Sequence, residues 1–185
     1  MTRLRLAGLV PAWLVAAAPN YATLDGAAEP LKTEFNAARG KVRLVMYVSP
    51  TYGGRLRGAK ETQARVLATV HDTSLWIYVV WAPKNGGRQQ DVGKVTQLVT
   101  DPRAAQYWDG HRVLTDAYDR MFALSGPCAG IFMLYGRQAR WQSAVPPRPD
   151  YLEDAHAREF NRPNPQYDAQ RFADKAQEML NTRNK

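Results

Sequence analysis

Ser49-Pro50-Thr51-Tyr52-Gly53-Gly54-Arg55 separates a dense apolar run from a segment with helical spacing. A turn there would open onto a helix N-terminus, whose unpaired amides attract anions. Gly53 and Gly54 would let the backbone come close to a ligand. Tyr52-Gly53-Gly54-Arg55 could therefore hold a carboxylate or phosphate, or meet a partner chain; the plainer reading is a surface turn with Tyr52 packed locally. The chain's single cysteine, Cys128, follows Pro127, so an intrachain disulfide is impossible. A buried, inert thiol is the commoner fate of such a residue, and a reactive thiol is the alternative.

Other chemistry finds little support. His71, His111 and His156 stand far apart, each without a second ligand at metal spacing. Asp91, Asp101, Asp109, Asp116 and Asp119 show no pairing that marks general acid–base work, and Trp81, Tyr107 and Trp108 suit packing rather than a cofactor. No phosphate loop, nucleophile elbow or dinucleotide fingerprint occurs. The sequence implies no metal and no cofactor.

The elements that must position these residues follow from periodicity. Residues 24–40 carry a helical pattern ended by Gly40, with Pro30 in the first turn or bending it. Residues 42–48 and 75–81 are nearly unbroken runs of β-formers, expected as central strands buried on both faces. Helices are predicted over 56–70, 88–99 and 114–124, and a short one opening at Asp101-Pro102. Residues 131–135 and 139–142 are expected to form a hairpin around Gly136-Arg137. Strands separated by helices, then a hairpin, imply an α/β domain over 19–145 with a mixed sheet flanked by helices.

Pro146-Pro147-Arg148-Pro149 reads as the end of that domain, leaving 146–185 as an extended arm. Its final helix, from about Tyr167, carries an apolar stripe of Phe172, Ala176, Met179 and Leu180. The stripe predicts docking on a partner, with Phe172, Met179 and Leu180 as contacts, and removal of 150–185 is expected to leave a folded domain. At the other end, residues 1–18 place Arg3 and Arg5 before an apolar run closing in small residues. That order fits a signal peptide cut near Ala17 or Ala18, and hence a periplasmic or secreted protein. The alternative is a retained apolar leader on a cytoplasmic protein; the run is too short to span a bilayer, so membrane contact would come only through it.

The formal net charge is +8, which raises the question of an anionic or nucleic-acid partner. Residues 146–185 hold seven basic and seven acidic side chains, so the tail is neutral. In the middle, Arg55, Arg57, Lys60, Lys84, Arg88 and Lys94 are interleaved with other types, without the aromatics that stack single-stranded bases. No specific nucleic acid is favoured.

The order of elements resembles the thioredoxin superfamily. The local sequence is similar to a bacterial branch whose first central strand runs into Ser-Pro-Thr-Cys-x-x-Cys. Ser49-Pro50-Thr51, Arg57-Gly58-Ala59, Asp101-Pro102-Arg103, Tyr107-Trp108-Asp109 and Leu134-Tyr135-Gly136 carry that resemblance, over about residues 40–145. It implies that Tyr52 and Arg55 occupy the positions of the two cysteines. A phenol with a pKa near 10 cannot exchange disulfides, and a guanidinium is no nucleophile, so dithiol exchange by this loop is excluded on chemical grounds. The resemblance also implies that Pro127 is a cis-proline facing the loop, which would bring Cys128 close to Tyr52. The expected function is a non-catalytic accessory or structural subunit that binds another protein chain or joins a multisubunit assembly. The alternatives are single-cysteine redox at Cys128 and a basic module associated with anions or nucleic acid.

Overall fold

The computed structural model describes residues 20–51, 56–124 and 126–182. Its centre is β2 (Val42–Val48), buried along its whole length. On one side it pairs in parallel with β3 (Leu75–Trp81), and on the other antiparallel with β5 (Gly130–Tyr135). With β1 (Ala22–Thr23), β4 (Ala104–Trp108) and β6 (Tyr151–Asp154) the described sheet runs β1-β4-β3-β2-β5-β6. The first four strands are mutually parallel and the last two pairings antiparallel.

Alternation along β2 divides the core in two. Val42, Leu44, Met46 and Val48 face one side. There α2 (Arg57–Glu61), its π-helical continuation Thr62–Leu67 and α5 (Ala169–Asn181) cover the sheet. Val45 and Tyr47 face the other, against α1 (Leu31–Ala37) and α4 (Val113–Met121). A short α3 (Gln89–Val92) and a 3-10 turn (Thr96–Leu98) carry the chain from β3 to β4. The mixed sheet flanked by helices on both faces agrees with expectation.

Arg43 breaks the apolar pattern of β2 yet is fully buried. It lies over the Phe35 ring and donates to the carbonyls of Phe35 (3.2 Å), Ala139 (3.1 Å) and Gly136. Burial pushes its guanidinium pKa down. The same contacts explain why no second hairpin strand forms at 139–142. The backbone of that segment bonds to side chains instead: Ala139 to Arg43, and Trp141 to both ends of the Asn36 amide (3.0 and 2.9 Å).

Other expectations need correction. The predicted long first helix is confined to Leu31–Ala37, because the preceding chain wraps around Asp25, whose carboxylate accepts the amides of Ala27 (2.8 Å) and Glu29 (2.9 Å). Asp101-Pro102 opens a turn and then β4, not a helix. Asp101 caps the Arg103 amide (2.9 Å) and grips its guanidinium (2.6 Å), while Ala104–Trp108 pair with Ile77–Trp81. The helix expected over 88–99 is interrupted after Val92, with Gly93 at the break.

The largest correction concerns the tail. The arm expected to reach outward belongs to the domain: Tyr151–Asp154 pair with Ile131–Leu134, and Phe172, Ala173, Ala176 and Leu180 are buried in the core. The 155–168 segment is not slack spacer. Asp154 bonds through its amide to Pro165 O (2.8 Å) and through its carbonyl to Tyr167 N (2.9 Å), and Gln166 reaches Ala155 O (2.9 Å). Tyr167 stacks on Phe132 at 4.1 Å, and Phe172 packs edge-on against the same ring. Apolar spacing on α5 thus reports burial against its own sheet. The docking roles expected for Phe172 and Leu180 are closed off, and Met179 alone of those three is half-buried.

A chain ending at Pro149 is therefore expected to lose the cooperative thermal unfolding of the full chain in circular dichroism. A cooperative melt at nearly the full-length Tm would show that β6 and α5 are dispensable. Phe172→Ala in the full chain is expected to lower stability by ~3–5 kcal/mol in urea denaturation, the usual cost of removing a buried aromatic ring.

Candidate functional site

The chain leaves β2 through Ser49-Pro50-Thr51, which are stapled to the turn after β3. Ser49 Oγ donates to Lys84 O (2.7 Å) and Thr51 Oγ1 to Asn85 O (2.9 Å). Gly87 lies so close to Pro50 that a Cβ there would sit 2.9 Å from the ring. Tyr52, Gly53, Gly54 and Arg55 lie outside the described residues. Beyond them the helix is mounted on β5 through Gly58, where a Cβ would come within 2.6 Å of Phe132. Both ends of the loop are thus fixed by close backbone approach.

Lys84 itself is buried against Asp119 (2.8 Å), so one of the cations counted toward the positive middle of the chain is a structural partner. Nearby, Asp109 takes the Thr115 amide and hydroxyl (2.7 and 2.8 Å) beneath the first turn of α4. Burial pushes its carboxyl pKa up, against the pull of those Thr115 bonds. Its other oxygen is buried without a hydrogen-bond partner among the described residues.

Pro127 and Cys128 stand just before β5. Gly130 pairs with Val48, so this register brings them to the same end of the sheet as Ser49-Pro50-Thr51. Pro127 is exposed, and the only cis peptide among the described residues is Glu29–Pro30, so the expected cis bond at Pro127 is absent. The turn is made by Gly126, whose φ of +84° suits glycine and whose Cα faces the ring of Phe160. Cys128 is fully buried, and its carbonyl accepts Arg162 Nη2 at 2.9 Å.

Arg162 was invisible as a site residue in a proline-rich stretch, yet it is the hub here. Its guanidinium pairs with Asp154 (3.2 Å), both side chains lying out of reach of solvent. Asp154 Oδ1 also accepts the His156 amide (2.8 Å). His156 bonds through Nδ1 to Glu159 (2.9 Å), while Nε2, facing Gly130, is buried with no hydrogen-bond partner among the described residues. Burial lowers the imidazole pKa, against the upward pull of Glu159. Thus a histidine that spacing left isolated is folded beside the segment carrying Cys128. Among the described residues no group of three His, Cys, Asp or Glu side chains is placed to hold a metal, and no helix is long and apolar enough to cross a membrane. Residues 1–18 lie outside the described residues.

No protein-family model matches the sequence, and no curated protein matches it. Solved structures do. A secreted disulfide oxidoreductase of Mycobacterium tuberculosis aligns over 77% of this chain and 84% of its own, at 12% identity and a TM-score of 0.44. A thioredoxin-like protein of Bacteroides caccae aligns over 78% of this chain and 42% of its own, at 10% identity and a TM-score of 0.43.

The lowered pKa of His156 has a thermodynamic consequence. Unfolding lets the imidazole bind a proton that burial disfavours, so its contribution is complete above the unfolded value of about 6.5 and is lost as pH falls toward the folded one. Tm measured against pH should drop below that point more steeply for the native chain than for His156→Gln. Parallel profiles would show that His156 is not held neutral.

Proposed function

We propose that the chain is a non-catalytic accessory or structural subunit, binding another protein chain through a thioredoxin-like scaffold. The observation that carries this reading is the presence of one cysteine in 185 residues. Disulfide exchange by a dithiol needs an attacking thiolate and a second thiol to resolve the mixed disulfide. Tyr52 and Arg55, in the loop after β2, supply neither. The described residues on either side of 52–55 are held by close approaches, Gly87 to Pro50 and Gly58 to Phe132, and this supports a contact surface there. An export leader over 1–18 would place the protein in the periplasm or outside the cell.

A second reading, exchange at Cys128 alone, draws on its position at the loop end of the sheet and on the buried His156 nearby. Full burial of Cys128 favours the first reading.

Two measurements separate them. The purified protein should not accelerate insulin disulfide reduction by dithiothreitol; turnover that survives Cys128→Ser would overturn the assignment of the Tyr52 loop. A thiol reagent should label Cys128 slowly in the native state and rapidly after denaturation. Fast native labelling, with an apparent pKa well below the ordinary value of about 8.5, would instead support the single-cysteine reading.

A further inference from the structure

Between the turn that follows β5 and the C-terminal half of α5 lies an open groove of about 640 Å³. Its lining includes the apolar Ala139, Pro147 and Met179. It also includes three cations, Arg137, Arg148 and Lys175, against the one carboxylate of Asp150. That carboxylate is engaged by the Gly136 amide (2.7 Å). Arg137 is committed to structure, donating to Gly40 O (2.7 Å) and to Leu180 O at the end of α5 (2.9 Å). Lys175 is half-buried, lying 6.0 Å from the Tyr151 ring centre and pairing with the exposed Glu178 (2.7 Å), a contact at the surface that is worth little. Arg148 is exposed and has no hydrogen-bond or ion-pair partner among the described residues.

We propose that this groove docks an extended acidic peptide segment of a partner protein, with carboxylates on Arg148 and Lys175 and an apolar side chain against Met179 and Pro147. This deepens the accessory-subunit reading and rests on it. Charge complementarity selects the occupant: cations in the lining outnumber the carboxylate, and the same lining holds apolar side chains. An arginine offers a carboxylate two parallel hydrogen bonds, which fixes orientation as well as charge. Nucleic acid fits less well, because the groove lining holds no aromatic ring on which a base could stack. A small molecule fits less well too, because sites for small ligands enclose most of the ligand's surface and this groove is open.

The test uses the full chain as bait for a displayed library of random dodecapeptides. Selected sequences should be rich in Asp and Glu around an aliphatic or aromatic residue. A fluorescein-labelled peptide of that consensus should bind with an affinity that falls with added salt. The affinity should drop at least about tenfold in Arg148→Glu/Lys175→Glu, whose thermal melt should match the native one. Met179→Asp should weaken binding by a similar factor. No selection, a consensus without acidic residues, or unchanged binding to the charge-reversed variant would overturn the proposal. Those failures leave the non-catalytic reading standing if insulin reduction is still absent; rapid insulin reduction would remove that reading whatever the peptides do.

Discussion

The buried pair of Asp154 and Arg162 holds together the parts of this molecule that matter most. Asp154 is the last residue of β6, and Arg162 lies in the loop that follows it. Through Cys128 O the guanidinium grips the entrance to β5, and through the His156 amide the carboxylate shapes the loop. Burying two charges is expensive, and a well-packed apolar pair would often be as stable. Leaving one charge without the other is worse, costing ~3–5 kcal/mol. The pair is therefore better understood as fixing one arrangement than as a large net gain. It makes the position of the Pro127-Cys128 segment depend on residues some thirty positions later in the chain.

This dependence explains what could and could not be read from the sequence. Strands β2 and β3 were legible because strands buried on both faces show as continuous apolar runs. Strand β6 was not, because Tyr151-Leu152-Glu153-Asp154 ends in two acids that look like surface. Both are fully buried, Glu153 meeting Arg171 at 2.7 Å and the Asp168 amide at 2.6 Å. Likewise the stripe on α5 was visible, but periodicity says only that a face is covered, not by what. At the site, residue identities alone removed dithiol chemistry. The gathering of Arg162, Asp154 and His156 around Cys128 has no local signal and depends on tertiary contact.

The basic character of the chain takes on a different meaning in the fold. Arg43, Lys84, Arg103 and Arg162 spend their charge inside, on carbonyls or on Asp119, Asp101 and Asp154. Guanidinium groups suit this work, because their fixed fork can satisfy several acceptors at once. Arg103 shows it plainly, joining Asp101 to the carbonyls of Leu67 and Val70. A positive total is thus partly a record of how loops are fastened to the sheet, and says less about anionic partners than the formal count suggests.

That β6 and α5 follow the other described elements in sequence also bears on how the protein comes into being. One face of the sheet, including Phe132 and Leu134, is covered by a helix that is synthesised after all six of its described strands. A nascent chain emerging from the ribosome holds its central strands long before it holds their lid. Until α5 arrives, that apolar face is open to other chains, and contacts so distant in sequence are slow to form. Biogenesis, more than the finished structure, is where this architecture leaves apolar surface open to other chains.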